Sequence, residues 1–367
     1  MRRITPELTT ELLNHFKDPN KVAAAEPFRV NTFRALVEHT AKLSYTNKDH
    51  LLFYRGQRSD YKNKVGASSF YPSIYRGEYL QIRDLTNKFD ILKGASNALV
   101  ELFEAKKIEG YKDLKRRQSI QWSILQHYEV CDTPLLDFTQ SLRVACSFAM
   151  MENMNETAYI YVFGLPYLSN RISVNSEHDI INIRLLSICP PNALRPYFQE
   201  GYLVGTDDIT TNYDSKTELD FNNRLIVKFE IPNDPIFWGE WFDMIPKISL
   251  YPDNDPIQLL CEDIKDFAQK ELKAGDIGEF LQSWAELEEW LINTSKQFTL
   301  RNLSVAEAIR DLFDRRIINK DELYNLNSLR SFRNKLVHTP KDINAYAVVD
   351  YFDSLKAILS ILKSKKI

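Results

Sequence analysis

Apolar residues fall at two different spacings along this chain. Over the first 45 residues Phe33, Leu36, Val37 and Leu43 form a patchy stripe at helical spacing, which predicts a helical lead-in over 1–45. Leu51-Leu52-Phe53-Tyr54 is a short apolar and aromatic run, predicting a strand that stops in a turn at Arg55-Gly56-Gln57. A loop with Ser68, Ser69, Tyr71, Pro72 and Ser73 follows, then helices over about 80–105, 115–128 and 142–150. Tyr159–Phe163, Tyr202-Leu203-Val204 and Leu225–Phe229 are rich in aromatic and β-branched residues and read as strands. This central part mixes α and β.

From about Gly278 the pattern is wholly helical. Phe280, Trp284, Leu287 and Leu291 recur at helical spacing. Ser304 with Glu307 makes a capping box, and Asn319 with Glu322 a looser one. A third helix is predicted from Lys320 to His338, where Thr339-Pro340 stops it. A last helix carries Val348, Phe352, Leu355, Leu359 and Leu362 on one face. Four such helices make a small bundle. The expected fold class is therefore α+β: a mixed domain over 46–272, a charged linker near 270–278, and an all-α four-helix bundle over 278–367.

A length of 367 residues fits two or three domains, and 44 % hydrophobic residues supply a substantial core. Lys plus Arg is 47 against Asp plus Glu 50, a net charge of -3 that excludes a polybasic nucleic-acid coat but leaves room for a local basic site. Cys131, Cys146, Cys189 and Cys261 are widely spaced, which indicates neither a disulfide framework nor a zinc ribbon. There is no Gly-x-x-x-x-Gly-Lys-Ser/Thr, no His-Glu-x-x-His and no Gly-x-Ser-x-Gly, so a P-loop, a zinc site and a hydrolase elbow are not expected. With no apolar signal segment or membrane-length run, the expected location is the reducing cytoplasm, with no membrane partner.

Arg333-Asn334-Lys335-Leu336-Val337-His338 closes the third helix of the C-terminal unit. Asn334 and His338 share a face, Arg330 extends that row, and Arg333 flanks it. The negative end of the helix dipole favours a protonated His338. An imidazole titrating near neutrality suits acid–base chemistry, and a guanidinium grips a phosphate by two hydrogen bonds. Metal-independent RNA cleavage needs these parts, and Lys335 and Lys341 add local positive charge. The structural alternative is that Arg333 and His338 cap the helix and bond the next one. Residues 279–363 resemble the HEPN superfamily of four-helix bundles, many of which are dimeric RNases. That resemblance implies a catalytic Arg333 and His338, or a bundle that binds RNA or forms a homodimer.

A second set of motifs is longer. Phe53-Tyr54-Arg55-Gly56-Gln57 is followed by Tyr71-Pro72-Ser73-Ile74-Tyr75-Arg76, Gln126-His127-Tyr128, Thr133 to Thr139, and Ser141 to Ala149. Pro191 to Arg195, Gln199 to Leu203 and Ile248 to Asp253 come later. An arginine at a strand end beside a glycine is a natural phosphate grip. The turn Asp137-Phe138-Thr139-Gln140-Ser141 offers hydroxyls and an N-cap at a positive dipole end, and Gln199 puts an amide at a sheet edge. The motifs resemble, in order, the FRG domain over about 45–265, a family found in bacterial and phage-related settings. Their order is also similar to that of ADP-ribosyltransferases. This resemblance implies NAD as the cofactor, with Arg55, Gly56, Gln57 and Asp137 binding it and Arg55, Thr139, Ser141 and Gln199 in catalytic roles. The family's Glu-x-Glu falls on Gln199-x-Gly201, so NAD transfer, NAD binding without transfer and recognition of another nucleotide all stay open. Glu200 would point to the opposite side in an extended segment. The structural alternatives are an Arg55 paired with Asp137 and a His127 hydrogen-bonded in the core.

The leading functional expectation is an intracellular toxin or anti-phage defence effector that transfers ADP-ribose to an RNA or protein acceptor. An antitoxin or phage-derived trigger would be its partner. The alternatives are a ribonuclease acting through Arg333 and His338 with the FRG-like part as sensor, and a non-enzymatic sensing or dimerisation module.

Overall fold

The computed structural model describes residues 1–77, 82–206, 213, 215–240, 242–268, 274–299, 301, 303–338 and 345–365. These form two compact units, Met1–Leu85 with Ser96–Ile264, and Thr86–Ala95 with Lys265–Ile367. The helices are α1 (Thr10–Phe16), α2 (Phe33–Thr46), α3 (Ile82–Ala105), α4 (Tyr111–Arg116), α5 (Gln118–His127), α6 (Leu142–Met150), α7 (Arg195–Gln199), α8 (Lys247–Leu250) and α9 (Pro256–Ala268). The C-terminal ones are α10 (Ala274–Lys296), α11 (Val305–Asp314), α12 (Lys320–His338) and α13 (Ala345–Lys363). The fold is mixed α+β with a helical C-terminal region.

The first unit is built on one eight-stranded sheet. Its strands are β1 (Phe28–Arg29), β2 (Leu51–Gln57), β3 (Leu136–Thr139), β4 (Thr157–Leu165), β5 (Ile172–Asn175), β6 (Ile180–Arg184), β7 (Gly201–Thr206) and β8 (Leu225–Pro232). Their spatial order is β1-β8-β4-β2-β3-β7-β6-β5, antiparallel throughout except for the parallel β1–β8 pair. β4 and β8 are buried almost end to end, which is why they read as continuous apolar runs rather than alternating ones. The first 45 residues are not a separate lead-in: Leu12, Phe16, Val30, Phe33 and Leu36 pack into the same core as Phe53, Ile160 and Val227.

β2 does not turn at Arg55-Gly56-Gln57. It continues to Gln57, because β4 partners it over its whole length, from Leu51↔Leu165 to Gln57↔Tyr159. α6 occupies the predicted 142–150, capped by the Ser141 hydroxyl, which accepts from the Val144 N–H at 3.4 Å. The short β1 and the β5–β6 hairpin were not apparent from the apolar pattern.

In the second unit α10 to α13 share a core that includes Phe280, Trp284, Leu291, Leu312, Leu326, Phe332, Leu355 and Leu362. Both expected caps form: Ser304 and Glu307 close a reciprocal box, and the Asn319 and Glu322 side chains accept from each other's backbone N–H at 2.9 and 2.7 Å, respectively. Each such cap is worth about 1 kcal/mol. Of the linker expected near 270–278, residues 270–273 lie outside the described residues and 274–278 are not a linker but the start of α10; Thr339, Pro340 and Lys341 also lie outside the described residues. No helix among the described residues is long and apolar enough to cross a membrane.

Candidate functional site

A cleft of about 1110 Å³ opens in the first unit where β2 meets β3. These strands share a single register pair, Tyr54↔Thr139. Continuing the ladder would join Arg55 to Phe138 and Gly56 to Asp137, and neither pair forms. The unmade ladder leaves main-chain groups that need partners. Arg55 supplies one: its Nη1 donates to the Asp137 carbonyl at 2.6 Å. The guanidinium thus spans the seam, and its Nε is buried without a hydrogen-bond partner among the described residues. Burial pulls Arg55 down to about 10, with the Asp137 charge opposing, so it remains a cation at neutral pH.

Gln57 also lines the cleft, and its buried Oε1 has no hydrogen-bond partner. The Asp137 carboxylate accepts from Gln126 Nε2 at 2.8 Å. Burial raises its pKa, while the Arg55 charge and the Gln126 hydrogen bond act the other way. At Gly56, a Cβ would meet the Ala145 carbonyl oxygen of α6 at 1.9 Å, so this glycine allows a helix, rather than a ligand, to approach the strand.

The remaining expected residues are already engaged with the protein. Thr139 Oγ1 donates to the Glu200 carbonyl and accepts from the Ser141 N–H, at 3.2 and 3.1 Å. Ser141 is the α6 cap and is not in the cleft lining. Gln199 lines the cleft but is buried, its Nε2 donating to the Leu250 carbonyl at 2.8 Å. The segment around it is not extended and not at a sheet edge. Gln199 ends α7, Glu200 is left-handed at φ 45°, and Gly201 opens β7, which lies between β3 and β6. A Cβ on Gly201 would meet Leu185 Cδ1 at 2.7 Å.

Three wall residues carry no assigned role in the sequence motifs: Arg195, Tyr251 and Glu129. Arg195 is buried, lies over the Tyr251 ring at 4.4 Å, and donates from Nη2 to Glu129 Oε1 at 2.7 Å. His127 sits in the core, as the structural alternative has it, but its Nε2 has no hydrogen-bond partner. Burial, helped by the Arg195 charge, pushes it well below the ordinary imidazole range, so it is neutral. Among the described residues the lining carries seven cationic side chains, Arg55, Arg58, Lys62, Lys64, Arg76, Arg195 and Lys216, against Glu129 and Asp137, with Arg58 also paired to Glu152 and Lys62 to Glu26. A strongly positive cleft on a chain of net charge -3 concentrates anions. Tyr54, Tyr61, Tyr71 and Phe148 add aromatic surface.

Arg333 and His338 belong to the second unit. They lie on α12, where Arg333 Nη1 donates to Asn334 Oδ1 at 3.3 Å and His338 is exposed in the last turn. Arg330 and Arg333 each keep a buried Nε without a hydrogen-bond partner. Among the described residues no group of three or more side chains is arranged to hold a metal ion.

Searches of curated proteins and of solved structures found no match to this chain. A family model described as "FRG domain" matches residues 50–158, the first half of the span expected from the motifs, so the stretches at 191–203 and 248–253 lie beyond it. The chain contains an FRG domain, and that domain supplies Arg55, Gly56, Gln57, Asp137 and Thr139 to the cleft.

Proposed function

We propose that the cleft binds NAD or a related nucleotide and that the chain transfers ADP-ribose from it to RNA or protein. One observation carries this reading: a strongly cationic cleft whose central guanidinium, Arg55, keeps a buried Nε without a partner. A phosphate oxygen satisfies such a donor with a charge-assisted hydrogen bond. Gln57 Oε1, also unpartnered, takes an amide or hydroxyl donor from the same ligand. The volume of about 1110 Å³ lies just above the range of about 300–1,000 Å³ usual for small-molecule sites, room enough for a dinucleotide.

The test is calorimetric titration of wild type and Arg55→Lys with NAD, alongside label transfer from radiolabelled NAD to RNA and to protein. Lysine keeps the charge but loses the fork. A charge-assisted hydrogen bond of about 1.5–3 kcal/mol is at stake, so the affinity will fall roughly tenfold to a hundredfold. Wild-type binding by the variant, or no nucleotide binding by either protein, overturns the reading.

A second reading has its own observation, the unpartnered Nε atoms of Arg330 and Arg333 on the helix that ends in His338. It makes α12 the phosphate-contacting element of a metal-independent ribonuclease. Its signature is RNA cleavage in chelator that His338→Ala abolishes and Arg55→Lys leaves intact. Cleavage that persists in His338→Ala excludes it.

A further inference from the structure

With glycine at 201, the lining of the cleft holds two carboxylates among the described residues, Asp137 and Glu129. They differ in what already binds them. Asp137 is committed to the frame: Gln126 donates to its Oδ2, and its backbone carbonyl anchors Arg55. Glu129 is paired through one carboxylate oxygen with a rigidly held arginine. The Glu129 side chain is 63 % exposed, while that of Arg195, which donates to its Oε1 at 2.7 Å, is 8 % exposed. Arg195 is fixed in turn by the Tyr251 ring and by its backbone N–H, which donates to Asp255 Oδ2 at 2.9 Å. The same Asp255 oxygen accepts from the Tyr128 hydroxyl at 2.8 Å.

The backbone at Glu129 is left-handed, as it is at Glu152 and Glu200. It follows the end of α5 with φ at 56°, its N–H donating to the Gln126 carbonyl and the Val130 N–H to the Leu125 carbonyl, at 3.0 and 2.9 Å. This is a left-handed helix terminus, a position that favours glycine. A glutamate there works against local stability, and the turn it makes fixes the direction in which the side chain leaves the end of α5.

We infer that Glu129 is the catalytic carboxylate of the cleft and that Arg195 is its positioning residue. The inference rests on the NAD reading above. In the transfer, the bond between ribose C1 and the nicotinamide nitrogen breaks, and its electron pair leaves with the nitrogen, giving neutral nicotinamide. Positive charge develops on the ribose ring, where a carboxylate stabilises it. The acceptor's hydroxyl oxygen then bonds to C1. Its proton passes to Glu129 and on to solvent, so the overall reaction releases one proton and needs no oxidant or reductant. Arg195 holds one carboxylate oxygen and leaves the other for this work.

Three variants test this: Glu129→Gln, Glu129→Gly and Arg195→Lys, each measured for NAD binding by calorimetry, for nicotinamide release and for thermal unfolding. Loss of an acid–base group predicts a fall in nicotinamide release of about 100-fold or more in both Glu129 variants, with NAD still bound. Thermal unfolding checks that the variants are folded: Glu129→Gln keeps an acceptor for Arg195, whereas Glu129→Gly relieves the left-handed backbone but strands the buried guanidinium, so it will melt below Glu129→Gln. Arg195→Lys will lower kcat and leave KM unchanged, a split that a purely structural role does not produce. Wild-type nicotinamide release by Glu129→Gln overturns the inference, and so does a wild type that binds NAD but releases no nicotinamide; in both cases the binding reading stands. A wild type that does not bind NAD removes both.

Discussion

Gly56→Ala will cost the first unit more than about 3 kcal/mol, beyond the ~1–3 kcal/mol typical of an overpacked core. The added methyl would meet the Ala145 carbonyl oxygen at 1.9 Å, its carbonyl carbon at 2.9 Å and the Ala149 Cβ at 3.0 Å. A core side chain rotates away from an intruding methyl, but a helical main-chain carbonyl cannot. Relief requires lifting α6 off the sheet, and α6 buries Leu142, Val144, Cys146 and Ala149. Urea denaturation of wild type and variant measures the loss. If Gly56→Ala unfolds at the wild-type midpoint and loses only nucleotide binding, the glycine serves the ligand and the packing account fails.

That glycine illustrates what the sequence discloses and what it withholds. Elements with a sustained apolar period or an explicit cap were legible almost to the residue: α6 over 142–150, α12 over 320–338 and the capping box at Ser304. Their signals are local. β1 was not legible, because two residues carry no period and their pairing with β8 is a long-range choice. The turn expected at Arg55-Gly56-Gln57 failed for a related reason. Glycine reads as a turn until the partner strand β4 and the helix across it are known. At the cleft, the arginine and its strand could be read from the motif order. Whether a hydroxyl or amide is spare could not, since Thr139 and Gln199 are occupied by the carbonyls of Glu200 and Leu250, 61 and 51 residues away. Glu129 left one trace, an acidic residue directly after Gln126-His127-Tyr128. Its meaning depends on where α5 ends and on an arginine 66 residues further on.

Asp60→Ala will destabilise the first unit by about 3–5 kcal/mol, the cost of stranding a buried charge. Lys228 has a fully buried side chain and Asp60 one that is 7 % exposed, with Nζ and Oδ2 3.1 Å apart. The other Asp60 oxygen accepts from the Tyr161 hydroxyl at 3.0 Å, and Lys228 Nζ also donates to Ser68 Oγ and the Ala23 carbonyl. Arg55, Tyr161 and Lys228 are cross-strand neighbours on β2, β4 and β8, so this network continues the row that carries the candidate anion grip. Asp60 ties the segment bearing Tyr61, Lys62 and Lys64, one wall of the cleft, onto that row. Nucleotide affinity will therefore fall together with stability. The pH dependence has a definite sign. Burial already lowers the Lys228 pKa below its ordinary value, with Asp60 opposing, and removing Asp60 lowers it further. Between the folded and unfolded lysine pKa values the native state then binds fewer protons than the unfolded chain, so the variant gains stability as pH rises through that window. Its deficit against wild type will be largest near neutrality and will narrow as the ordinary lysine range is approached. Combining Asp60→Leu with Lys228→Met removes both charges and will recover much of the loss, because an apolar pair replaces a buried ion pair with little net change. Denaturation midpoints across pH for the single and double variants decide the matter. A deficit in Asp60→Ala that does not vary with pH, or a double variant no more stable than the single, would show that Lys228 is not a stranded charge.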